Sequence, residues 1–263
     1  MKRLSYYLFR FIKFLIRIFY PETEFRCTEN LPDGKAVIVG NHAKMNAPIA
    51  CELYFPGRHR TWTAGEMMHF SEVPEYAFKD FWVNKPGYIR WFYRGLSYMI
   101  APLSVCIFKN ADCIGVYHDS RLINTFRSSV AALHNGEKVI ILPEHDVPHN
   151  NIVCAFREKF VDVARMYFRK YHEAISFVPM YTAPDLRAVY FGKPVCFDPS
   201  VPIAQERTRI SMAMMDAITE IARSLPEHTV VPYPNIPEKD YPSNKDVSVM
   251  FDSNGLYESP ALI

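Results

Sequence analysis

The sequence predicts an α/β fold: a mainly parallel sheet flanked by helices, with an amphipathic helix in front of it. Three observations point there. Short apolar runs rich in β-branched residues (36–39, 111–116, 139–142, 175–180) alternate with helical-period stretches of ten residues or more (120–134, 155–171, 203–225). A length of 263 residues with 49% apolar and 22% charged residues suits a packed core, as one large domain or one domain with appendages. Residues 4–20 are apolar except for a stripe of cations.

That stripe comes first along the chain. At 100° per residue Arg3, Arg10, Lys13 and Arg17 share one narrow face, and Leu, Ile and aromatic residues cover the rest. Interrupted by cations, the segment makes a poor membrane span. It makes a good interfacial helix, apolar side chains in the acyl boundary and cations toward anionic head groups. With Lys2, these five cations exceed the whole-chain excess of +2, so the remainder is net acidic. That balance argues against a nucleic-acid binder. Pro21 ends the helix, and residues 30–34 form a turn cluster.

Strand 36–39 follows, then a turn at Asn41-His42 and a helix over 48–54. A strand is expected over 60–64, short helices over 66–70 and 74–82, and a helix pair over 88–108 broken at Pro102. Strand 111–116, helix 120–134, strand 139–142 and a polar loop over 143–151 come next. Helix 155–171, strand 175–180, a hairpin of 187–191 with 195–197 around Gly192-Lys193-Pro194, and helix 203–225 complete the order. Proline-rich sequence from 226 reads as an extended tail. The expected organisation is thus a membrane-associating helix over 1–20, an α/β domain over 21–225 and a tail over 226–263. Six scattered cysteines without a Cys-x-x-Cys pair, and no evident signal sequence, suggest reduced thiols and a cytoplasmic location.

The chemistry centres on Asn41-His42, a polar pair at the carboxyl end of a strand, where α/β folds place reacting groups. Histidine suits proton transfer near neutral pH; the alternative is a capping or core histidine. Asn41-His42 resembles the start of motif I of the glycerolipid acyltransferase family, Asn-His, four residues, Asp. Ala47 stands at the Asp position. Residues 114–119 (Ile-Gly-Val-Tyr-His-Asp) resemble the second motif, Pro-Val-Tyr-Arg-Asp, with His118 in place of arginine. Ile141-Leu142-Pro143-Glu144 resembles the third, Phe-Pro-Glu-Gly-Thr-Arg-Ser, with Val147 where that motif has its arginine. Phe177-Val178-Pro179-Met180 resembles the fourth.

The resemblance implies a glycerol-phosphate acyltransferase-like fold and transfer of an acyl group from acyl-CoA or an acyl carrier protein to a glycerol-like hydroxyl. The hydroxyl is a weak nucleophile, so a base must take its proton; His42 is the candidate. In the family an Asp orients that ring, and losing an orienting carboxylate costs about 10⁴ in rate in related dyads. Asn46 as a neutral acceptor, or Glu52, Asp119 or Asp146, are the substitutes in this chain. Glu144 and Pro143 are expected to place the acceptor head group, and His118, Arg121 and Lys44 to meet a phosphate. No metal or other cofactor is expected, and the partners are membrane lipids at the cytoplasmic face. Two alternatives stand beside this one. The chain is a non-catalytic lipid-binding relative, or His42, His118, His145 and His149 with Asp119 and Asp146 converge on a hydrolase metal.

Overall fold

A computed structural model describes residues 2–83 and 85–246. In chain order it holds α1 (Lys2–Phe19), β1 (Glu24–Arg26), β2 (Ala36–Gly40), α2 (Asn46–Tyr54), β3 (His59–Ala64), α3 (Val73–Ala77), α4 (Arg90–Asn110), β4 (Ile114–Val116), α5 (Leu122–His134), β5 (Lys138–Ile141), β6 (Glu144–Pro148), β7 (Cys154–Phe156), α6 (Asp162–Tyr171), β8 (Ser176–Ala183), β9 (Ala188–Phe191), β10 (Val195–Cys196) and α7 (Ile203–Ser224). These elements fall into two compact units, those within residues 2–20 and 60–129 and those within 21–59 and 130–246.

The second unit carries the larger sheet, in the order β1-β9-β8-β2-β5. β1 on β9, β2 on β8 and β2 on β5 are parallel, and β8 on β9 is antiparallel. β2 is buried along its whole length, as a β-branched strand between two neighbours in a covered sheet should be. Both faces are covered. Ile221 of α7 comes up where Pro179 projects from β8, and Cys51 of α2 meets Met180, one residue on and therefore on the opposite face.

Three expectations in this unit are corrected. The expected hairpin of 187–191 with 195–197 does not pair with itself: β9 and β10 both pair with β8, end to end along one edge. Pro179 sits at their junction, its carbonyl accepting Gly192 N–H at 2.9 Å, so the missing proline N–H interrupts no ladder bond. The polar loop expected over 143–151 is largely strand β6, paired antiparallel with β7. The helix expected over 155–171 therefore begins only at Asp162, after β7 and a 3-10 turn at Glu158–Val161.

The tail expected from 226 onward departs from that reading as far as it is described, while 247–263 lie outside the described residues. His228, Val230 and Asn244 are buried. Asn244 donates to the carbonyls of Ala222 and Pro226 and accepts the His228 N–H, and Val230 N–H bonds the Pro242 carbonyl. Buried polar side chains are kept only where such bonds satisfy them, and here they close residues 228–244 into a strap.

In the first unit β3 and β4 pair in parallel, Trp62 opposite Ile114. The expected helix pair over 88–108 is one helix, α4, with Pro102 inside it. Small buried residues (Ser97, Ala101, Ser104) let α4 lie close against Val73 and Ala77 of α3. α1 packs on α4: Phe9 is buried, and Asn110 donates to the Ser5 hydroxyl at 2.9 Å. Residues 2–20 thus belong to a compact unit and still show Phe14 and Phe19 at 60% and 84% exposure. No helix among the described residues is long and apolar enough to cross a membrane.

Candidate active site

The site is built on the carboxyl end of β2. Gly40 ends that strand where a Cβ would lie 2.8 Å from the Met180 methyl and 2.9 Å from the Met180 carbonyl, so only glycine lets β2 close on β8 here. Asn41 follows, buried, and is spent on structure. Its amide donates to the Thr182 carbonyl at 3.1 Å and accepts the Thr182 N–H at 2.7 Å, pinning the turn to the end of β8.

His42 is half-buried in that turn. Its Nδ1 bonds the backbone carbonyl of Lys44. A carbonyl can only accept, so Nδ1 carries the proton and Nε2 is the basic nitrogen. The backbone makes this possible by an uncommon route: Ala43 and Lys44 are both left-handed, with φ 44° and 55°, which turns the Lys44 carbonyl back toward the ring. Non-glycine residues held there cost roughly 1–3 kcal/mol each and persist only where the surroundings fix them. The Tyr233 ring stands edge-on to the His42 ring, centroids 5.9 Å apart.

Ala47, at the position where motif I has Asp, is fully buried in the first turn of α2. Asn46 directs both its backbone N–H and its side-chain amide to the Ala43 carbonyl, at 3.1 and 2.9 Å. The acceptor on Nδ1 is thus a backbone group that no side-chain pattern announces.

Glu144 is buried at the start of β6. One carboxylate oxygen accepts the backbone N–H of His42 and the other that of Cys154, at 3.0 Å for the latter. Burial pushes its carboxyl up to about 7, against the two N–H donors, which pull it down. Pro143 is buried beside it, its carbonyl taking the Arg157 N–H at 2.9 Å. Both residues hold the turn and the β6–β7 hairpin in place. Burial lifts the thiols of Cys51 and Cys154 to about 12, which leaves neither a ready thiolate nucleophile.

The remaining candidates are placed as follows. The Lys44 ammonium bonds the Tyr241 hydroxyl and lies 4.8 Å from that ring's centre. In the other unit His118 is exposed, and the Arg121 guanidinium stacks on Tyr117 at 4.0 Å. Asp119 and then Glu72 bind that guanidinium and raise its pKa further. For the hydrolase alternative, no group of three or more His, Cys, Asp or Glu side chains among the described residues is arranged to hold a metal ion. His149 lies 3.9 Å from Asp216.

No family model matches the sequence, and no curated protein matches it. Among solved structures, one match is the 1-acyl-sn-glycerophosphate (LPA) acyltransferase PlsC from Thermotoga maritima. It is 14% identical, the match covers 84% of this chain and 82% of that one, and the TM-score is 0.47.

Sequence reasoning missed the Lys44 carbonyl, the Cys154 N–H and the two tyrosines of the strap. Only the tyrosines left a trace: two aromatic residues in a proline-rich stretch read as a tail.

Proposed function

We propose that the chain is an acyltransferase that moves a fatty acyl group from acyl-CoA or an acyl carrier protein to a glycerolipid-like hydroxyl at a membrane surface. The observation that carries this reading is the commitment of His42 Nδ1 to the Lys44 carbonyl, which assigns Nε2 the role of base. The motif order seen in the sequence supports the choice of reaction. The substrate hydroxyl gives its proton to Nε2 as its oxygen attacks the thioester carbonyl. The tetrahedral intermediate expels the thiolate, which takes that proton from the imidazolium. A neutral carbonyl steadies the imidazolium less than a carboxylate does, so turnover is expected to be modest.

Of the cations expected to meet an acceptor phosphate, Lys44 bonds the Tyr241 hydroxyl and, in the other unit, Arg121 bonds Glu72 and Asp119. The exposed apolar residues of α1 suit a peripheral position on the cytoplasmic face of a membrane. The test is direct. The purified chain is given acyl-CoA or acyl carrier protein with a panel of lysolipids and other alcohols, and products are identified by mass. Product is expected from the native chain and none from His42→Ala. No product from any donor leaves the lipid-binding alternative in place. Near-native turnover by His42→Ala removes the base assignment.

A further inference from the structure

Lys44 supplies the carbonyl that receives the His42 Nδ1–H, from a left-handed backbone that its own sequence does not favour. The Lys44 side chain is held in turn: its ammonium bonds the Tyr241 hydroxyl and sits 4.8 Å from that ring's centre. Tyr241 belongs to a segment rooted independently of the site. Asn244 is fully buried and bonds Ala222, Pro226 and His228, and Asn151 donates to the Ser243 carbonyl at 3.0 Å. The buried His228 adds a 2.8 Å bond to Tyr181 of β8. A fixed root, a tyrosine on the strap, a lysine on the turn and the histidine ring therefore form one continuous chain of contacts.

We propose that Tyr241 is a positioning residue for His42, acting through Lys44 to keep the ring in its Nδ1–H tautomer. The hydroxyl and the ring face of Tyr241 fix the lysine side chain, and that fixes the backbone whose carbonyl takes the imidazole proton. The residue touches no reacting atom. The kinetic part of its effect rests on the acyl-transfer reading; the tautomer part does not.

The test reads the two separately in the full-length chain. With ¹⁵N-labelled histidine, the native protein should show the Nδ1–H signature for His42, assigned by its loss in His42→Ala. Tyr241→Ala should shift it toward the tautomer mixture of a free imidazole. Tyr241→Phe, which keeps the ring and loses the hydroxyl, should shift it part of the way. Lys44→Met, which loses both the hydroxyl bond and the contact with the ring face, should reproduce the alanine effect, and combining it with Tyr241→Ala should be no worse than either single change, as for residues in one chain of contacts. In acyl transfer Tyr241→Ala should lower kcat about tenfold with KM within about twofold, since a mis-set base loses transition-state stabilisation and not substrate binding.

An unchanged signature in Tyr241→Phe and Tyr241→Ala overturns the proposal, whatever happens to the melting temperature, because a merely structural role would lower Tm and leave the ring alone. If Tyr241→Ala does not fold, Tyr241→Phe decides by itself. A shifted signature in a chain that transfers no acyl group supports the positioning role and counts against the acyl-transfer reading alone.

Discussion

The Glu144 carboxylate accepts the backbone N–H of His42 through one oxygen and that of Cys154 through the other. It ties the turn after β2 to the β6–β7 hairpin, so the residue expected to place an acceptor head group has both oxygens occupied by the chain's own backbone. Its burial has a measurable consequence. The folded-state pKa, about 7, lies above the ordinary value of 4.5. Glu144 therefore favours folding fully below pH 4.5, and that contribution is lost as pH rises through about 7, roughly 3 kcal/mol in all. Thermal melts of the native chain from pH 4 to 8 should show this loss, and Glu144→Gln should flatten it. A slope that persists in the variant assigns it to another group.

The same contacts separate what the sequence could show from what it could not. Strands 36–39, 139–142 and 175–180 were legible because a β-branched apolar run buried on both faces is a local pattern. β7 was not. Cys154–Phe156 became strand through pairing with residues six to twelve positions away and through the Arg157 N–H on the Pro143 carbonyl, neither of which leaves a local period. The strap was read as a tail from its prolines, and its bonds, those of Asn244 and His228 foremost, reveal it as packed chain. At the site His42 was legible from its neighbours in sequence. The acceptor on its Nδ1 was not, since a backbone carbonyl carries no residue identity.

Arg121 gives a prediction about the acceptor. Its guanidinium is shared between Asp119 and Glu72, so an anionic head group must compete with both for it. Glu72→Gln should lower KM several-fold for a phosphate-bearing acceptor and leave KM for an uncharged alcohol unchanged. Partly exposed ion pairs of this kind contribute little to stability, so the fold should tolerate the change. Equal effects on both acceptors would place Arg121 outside the acceptor's reach.

Membrane contact can be tested without removing α1, whose loss would uncover Asn110 and the α4 face it packs on. Phe14 and Phe19 point away from that packing. Changing both to Glu should abolish flotation with anionic liposomes at little cost in Tm. Phe9→Ala, at the buried face, should instead lower stability by about 3 kcal/mol. Retained flotation in the double Glu variant would move the contact to α4, where Trp91 and Met99 are each 75% exposed.

The last prediction concerns Ala47. An Asp there would restore the motif I pattern, and if the native site merely lacked its carboxylate, turnover should rise tenfold or more, on the order of 1.4 kcal/mol of barrier. Two observations point the other way. His42 Nδ1 already has an acceptor in the Lys44 carbonyl, presented by a left-handed turn. Ala47 is fully buried, so a carboxylate would enter desolvated, eased only in part by its place in the first turn of α2. Ala47→Asp should therefore leave turnover level or lower, and reduce stability by about 1–3 kcal/mol at neutral pH. Because the new group is harmless only when protonated, the stability deficit should shrink as pH falls toward 4. Kinetics at pH 7 and melts across that range measure both. A tenfold gain in turnover would show that a carboxylate can displace the carbonyl on Nδ1, and that the native chain works with a weakened base.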